Sequence, residues 1–146
     1  MKKITALLLL SIVFGCNSTK ETVSKNTTKT PFVWESANVY FLLLDRFQNG
    51  NPSNDNIIKR DKPTGPLRGF EGGDLRGIIQ KLDEGYFTSL GINAIWMTPV
   101  VEQIHGSVDE GTGNTYGFHG YWTKDWTAID PSYGTRADLK ELVDKA

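Results

Sequence analysis

Two short stretches concentrate the residue types from which a ligand site is built. Phe118-His119-Gly120-Tyr121-Trp122 sets aromatic rings beside an imidazole and a glycine. Sugar rings present C–H faces that pack on aromatic rings, while their hydroxyls need donors and acceptors, so this mixture suits a saccharide. The alternative is that the rings form the loop's own core and that His119 is a satisfied structural histidine. Asn49-Gly50-Asn51-Pro52-Ser53-Asn54-Asp55-Asn56 packs four Asn and one Asp into eight residues. Amide oxygens, a carboxylate and turn carbonyls are the hard ligands that Ca²⁺ prefers. The spacing is not that of an EF-hand, and a polar cluster of Asx-turns is the competing reading. Gly72-Gly73-Asp74 offers a second oxygen source, with Asp74 as a plain helix N-cap as its alternative. Asp45-Arg46 has two readings, a catalytic carboxylate at a strand end or a structural ion pair. With no obvious second carboxylate, the ion pair is expected. His105 has no context that lifts it above a surface histidine.

The elements that must position these residues are legible from periodicity. Residues 39–44 form a continuous apolar run, which suits a strand buried on both faces, as in a parallel sheet. Leu75, Ile78, Ile79, Leu82 and Tyr86 fall on one face of a helix, with Asp74 placed to cap its start. Residues 92–98 repeat the buried-strand pattern and stop at Pro99. Residues 135–146 begin a second helix, with Thr135 as N-cap, Asp138 at the capping-box position, and Leu139, Leu142 and Val143 facing inward. Strand, helix, strand, helix indicates a βα repeat with a parallel sheet. The connections 45–74 and 98–134 are long, and both follow strand C-terminal ends. Such loops are uncommon unless functional or disordered, and these are too aromatic for disorder. In α/β folds sites are built at those strand ends, so spacing alone predicts a ligand site on the two loops.

Composition narrows the partners. The formal charge of -1 excludes a broad electrostatic footprint for nucleic acid. An aromatic share of 11% argues against a disordered chain. The single cysteine excludes a disulfide framework and a thiolate zinc cluster. The length of 146 residues fits one ordinary domain. Yet the chain stops at Lys145-Ala146 inside the second helix, which leads to the expectation of an incomplete domain.

The N-terminus reads as targeting rather than fold. Lys2 and Lys3 precede an apolar run over residues 4–14, too short to span a hydrocarbon core of roughly 30 Å, so residues 1–15 are expected to be a signal peptide. Val13-Phe14-Gly15-Cys16 resembles the lipobox of bacterial lipoproteins, in which cleavage leaves the cysteine N-terminal and lipidated. Phe14 is bulkier than the usual occupant of its position. An ordinary signal peptide with an incidental cysteine is the alternative. Residues 16–31 are rich in Asn, Ser, Thr and Lys and are expected to form a flexible tether. The expected location is therefore that of an exported bacterial lipoprotein facing the periplasm or cell surface, held to the membrane through Cys16.

Five ordered motifs carry a family resemblance. Asp45-Arg46-Phe47 with the Asn-rich loop, Gly72-Gly73-Asp74-Leu75-Arg76-Gly77, Leu90-Gly91-Ile92-Asn93-Ala94-Ile95-Trp96-Met97-Thr98-Pro99, His119-Gly120-Tyr121-Trp122 and Asp130-Pro131-Ser132-Tyr133-Gly134-Thr135 resemble the start of the α-amylase family, glycoside hydrolase family 13. Glu84-Gly85-Tyr86 and Pro99-Val100-Val101-Glu102 look nearest to its cyclodextrin glucanotransferase and bacterial α-amylase branch. The resemblance covers about residues 34–146.

It implies an α/β fold in which residues 32–146 are the N-terminal portion, the first two βα units, of a (β/α)₈ TIM barrel. Residues 39–44 and 92–98 would be its first two strands. It implies a structural Ca²⁺ held by Asn49, Asn51, Asn54, Asp55, Gly72 through its carbonyl, and Asp74, with Asn49 standing where the branch often has Asp. It implies that Tyr121 is the aromatic platform under the sugar at the scissile position and that His119 and Trp122 line the same or the next subsite. The family's retaining chemistry uses a carboxylate nucleophile and a carboxylic acid/base about 5–5.5 Å apart. Both lie on later strands, so no catalytic residue is expected in this chain, and Asp45, Asp74, Asp125 and Asp130 are not promoted in their place. The expected function is the N-terminal part of an α-glucan hydrolase or transglycosylase acting on oligosaccharide or polysaccharide, inactive by itself. The alternative is a non-catalytic α-glucan-binding surface lipoprotein.

Overall fold

A computed structural model describes residues 31–146. The expected signal peptide, Cys16 and all but the last residue of the expected tether lie outside the described residues. Val33–Ala146 is one compact unit. Its elements run, in order, β1 (Val39–Leu42), the single turn α1 (Leu44–Phe47), α2 (Leu75–Asp83), the short α3 (Tyr86–Ser89), β2 (Ala94–Met97), β3 (Val101–Gln103), β4 (Val108–Asp109), β5 (Asn114–Thr115), β6 (Thr123–Ile129) and α4 (Arg136–Lys145).

β1 and β2 pair in parallel, from Val39 opposite Ala94 to Leu42 opposite Met97. α2 and α3 form the crossover between them, and α4 packs against α2. β1, α2, β2 and α4 follow one another in the expected order, with four further strands between β2 and α4. Both strands are shorter than the apolar runs that announced them. Leu44 and Asp45 belong to α1, because the Leu44 N–H leaves the ladder for the Thr98 hydroxyl at 3.1 Å.

The core lies between the strands and helices. Leu42, Leu44, Leu75, Ile78, Ile79, Phe87, Tyr133 and Leu142 are all buried. Each such side chain contributes about 1.5–3 kcal/mol through burial. α2 supplies three of them from one face, as its periodicity predicts. The helix does not continue to Tyr86. The chain turns at Gly85, where φ is +72°, and restarts as α3.

Two further expectations are corrected, and one connection proves to hold structure of its own. Only one face of the β1–β2 pair is covered by the described residues. Phe41 and Trp96 meet edge to face at 5.7 Å on the other face and are 56% and 64% exposed. Val143 does not face inward with Leu142. It is exposed and lines an open groove of about 570 Å³ with Trp126, Ile129 and Leu139. The connection 98–134 is not irregular throughout: β3 pairs antiparallel with β6, and β4 with β5.

The two long connections are fastened to each other. Thr64 bridges Asn114, and the Tyr116 N–H donates to the Arg68 carbonyl at 3.0 Å. The Arg60 guanidinium lies over the Phe70 ring and donates to the Ser132 hydroxyl at 3.0 Å. Asp45 is buried and accepts the Glu71 N–H, with Arg46 3.3 Å away. This is the expected structural ion pair. Burial outweighs these partners and pushes the Asp45 carboxyl up to about 6.

The first connection also packs backbone to backbone on α2. A Cβ on Gly77 would fall 1.9 Å from the Gln48 carbonyl oxygen, an approach open only to glycine. Gly77→Ala is therefore expected to destabilise the chain by about 1–3 kcal/mol, whereas Gly106→Ala, with open space around it, stays within about 0.5 kcal/mol. Denaturant unfolding of the two variants checks this, and equal midpoints would contradict it.

Candidate functional site

The aromatic motif sits on the second connection, between β5 and β6. Tyr121 is 60% exposed. Its ring stacks with the His119 imidazole at 5.9 Å and an interplanar angle of 19°, and His119 meets Trp122 edge to face at 4.8 Å. The structure thus brings Tyr121, His119 and Trp122 together as one aromatic group. Tyr121, Trp122 and Trp126 also line a shallow cavity of about 450 Å³ with Ile104, Val108 and Thr123.

The imidazole's state follows from its neighbours. The Tyr121 backbone N–H donates to His119 Nδ1 at 3.0 Å. Nδ1 is then the acceptor and Nε2 carries the proton in the neutral ring. Partial burial lowers the His119 pKa, which reinforces the neutral form. The group offers a flat apolar face from Tyr121 and an N–H donor from His119. That is the pairing a sugar ring requires.

Behind the rings lies a polar scaffold. Arg46 sits 4.1 Å from the centre of the Phe118 ring, and the buried Tyr133 hydroxyl donates to the Phe118 carbonyl at 2.8 Å. The buried Gln103 accepts the Trp122 N–H at 2.7 Å. Sequence reasoning misses Gln103, because a lone glutamine carries no motif. Tyr133 lies within a recognisable motif, but nothing in its spacing shows where its hydroxyl reaches. His105 is exposed and pairs with Glu102 at 2.8 Å, as a surface histidine should.

The Asn-rich loop is compact. Asn49 Nδ2 donates to both Asp55 oxygens at 2.9 and 3.0 Å. A Cβ on Gly72, where φ is +92°, would fall 2.5 Å from Asn49 Nδ2 and 2.8 Å from Asp55 Oδ1. Asn49, Asp55 and Gly72 therefore converge. Asn49 Oδ1 and Asn54 Oδ1 are buried with no hydrogen-bond partner. Orphaned oxygens of this kind fit a hard cation. The other two expected ligands are engaged. Asn51 Oδ1 accepts from the Ser53 hydroxyl at 2.7 Å. Asp74 accepts the N–H groups of Gly50, Asn51 and Gly77 and the Asn54 side-chain amide. Asp74 is thus the helix N-cap of α2. Among the described residues, no three His, Cys, Asp or Glu side chains gather in a metal-binding arrangement, so any site here draws mainly on amide oxygens.

Comparison with known proteins supplies the family. Residues 41–146 match the family model described as alpha amylase, catalytic domain. The periplasmic alpha-amylase of Escherichia coli (strain K12) is 48% identical over 127 residues, covering 84% of this chain and 18% of the relative. A cyclomaltodextrin glucanotransferase of Bacillus sp. (strain 1011) is 35% identical, covering 99% of this chain and 21% of the relative. The chain therefore spans about a fifth of the length of these curated relatives. Among solved structures, CldA, a cyclomaltodextrin glucanotransferase with three domains, superposes with a TM-score of 0.65 at 35% identity, covering 76% of this chain and 23% of that one. An Anoxybacillus alpha-amylase gives a TM-score of 0.61 at 36% identity, covering 79% of this chain and 22% of that one. The chain belongs to the α-amylase family, within its catalytic domain.

Proposed function

We propose that this chain supplies the first two βα units and the sugar platform of an exported α-glucan-active glycoside hydrolase or transglycosylase. The observation that carries the reading is the Tyr121 ring, exposed in an otherwise well-anchored loop and flanked by His119 and Trp122. An exposed aromatic held in place offers a sugar a ready face at little ordering cost. A related structure is of a protein bound to maltotriose, at 35% identity. The two carboxylates of retaining chemistry are not assigned to residues of this chain. Asp45, Asp74 and Asp130 are buried and hold backbone N–H groups.

The proposal extends to a structural Ca²⁺ and a lipid anchor. Asn49, Asn54, Asp55 and the Gly72 carbonyl would hold the ion, with Asn51 and Asp74 completing the loop around it. When bound, the ion would cross-link the Asn-rich loop to the segment before α2. Cys16 would carry the lipid, a reading that rests on its position after the apolar run. The name of the Escherichia coli relative, a periplasmic enzyme, is consistent with export.

Each part of the reading has its own test. Tyr121→Ala should weaken maltoheptaose binding by the full chain about tenfold while leaving the unfolding midpoint unchanged. Equal affinity would end the platform reading. Calcium at a hundredfold excess over its dissociation constant should raise stability by about 2.7 kcal/mol, and Asp55→Ala should remove the effect. A melting curve indifferent to calcium and to chelator would reject the ion. In a bacterial host, labelled palmitate should be incorporated into the wild-type chain and not into Cys16→Ser, and label in both would exclude Cys16 as the anchor.

A further inference from the structure

We propose that Gln103 is the positioning residue for the Tyr121 platform. The inference rests on the reading of Tyr121 as that platform. The Tyr121 ring is 60% exposed and its one ring contact among the described residues is the stack on His119, so packing fixes its direction only in part. Its backbone supplies the rest, and that backbone is pinned on both sides.

On one side, Gly120 lies against Pro99. A Cβ on Gly120, where φ is +86°, would fall 2.5 Å from the Pro99 carbonyl oxygen. On the other side, the Trp122 N–H donates to Gln103 Oε1 at 2.7 Å, and the Trp122 carbonyl accepts from the Ile104 N–H at 2.9 Å. Gln103 is itself immobilised. Its side chain is fully buried, its Nε2 donates to the Val101 carbonyl at 2.7 Å, and its backbone N–H donates to Asp130 Oδ2 at 3.0 Å. Asp130 in turn accepts the Ser132 N–H at 2.9 Å. Gly117 packs directly on the Gln103 side chain. The amide thus transmits the position of β3 and of the turn before α4 to the residue next to Tyr121.

The amide's two ends have separable roles. Its oxygen holds the platform, and its nitrogen secures the side chain to β3. Gln103→Met removes both and keeps the shape. Gln103→Glu keeps an oxygen facing the Trp122 N–H and loses the donor to Val101. Both variants should lose stability, but only the first should lose the platform. In the full chain, Gln103→Met should weaken maltoheptaose binding about fivefold and speed hydrogen exchange at the Trp122 amide. Gln103→Glu should retain both the affinity and the protection. Equal loss of affinity in the two variants would overturn the proposal, because binding would then follow stability alone. Full affinity in Gln103→Met would overturn it as well. If Gln103→Met does not fold, Gln103→Glu decides: lost affinity with the Trp122 amide still protected is the contrary result. Tyr121→Ala is measured alongside. Unchanged affinity there would reject the platform reading itself, while exchange at Trp122 would still show whether Gln103 holds that backbone.

Discussion

The Asp74 carboxylate is the constraint on which the first half of the molecule depends. It is fully buried, and both oxygens accept two donors each. One donor is the Gly77 N–H in the first turn of α2, where a helix favours negative charge. The others come from the Asn-rich loop. A buried anion is tolerated only when its lone pairs are satisfied. Satisfying this one draws Gly50, Asn51 and Asn54 onto the start of the helix. The Asp74 N–H closes the circuit by donating to the Gln48 carbonyl, and the Gly73 N–H donates to that of Asp45. The loop that follows β1 is thereby folded back on α2, with glycines at the closest approaches.

The same device recurs on the second connection. Asp130 is buried and holds the Gln103 and Ser132 N–H groups, with the Arg60 guanidinium 3.9 Å away. Arg60 comes from the first connection. A carboxylate in one loop and a cation from the other therefore make the two connections a single body. Tyr133 completes it, tilted against Phe70 and bonded to the Phe118 carbonyl. The aromatic group at residues 119–122 is mounted on this body rather than on a free loop.

What the sequence reveals and what it hides divide along physical lines. Helix caps are local, and Asp74, Thr135 and Asp138 take the places their spacing assigns. Burial of one helix face is periodic, and Leu75, Ile78 and Ile79 show it. Residues 39–44 mislead at their end because a side chain distant in sequence, Thr98, captures the Leu44 N–H. The β3–β6 pair is hidden because its register is broken by irregularities around Glu102, which erases the alternation that announces a strand. The aromatic group at residues 119–122 is legible in type and order. Its support is not, because Gln103 and Asp130 act through hydrogen bonds to residues far along the chain.

These buried carboxylates also define what the described part of the molecule can do. A nucleophile or general acid needs an oxygen free to meet substrate and a partner group at a set distance. The oxygens of Asp45, Asp74 and Asp130 are instead held by N–H groups, whose release would leave buried donors unsatisfied. Carboxylates here position, and aromatic and imidazole groups face the solvent. Under the proposed reading, the exposed Tyr121 ring meets the ligand while the buried carboxylates hold the backbone beneath it, a division that suits a neutral, hydroxylated ligand.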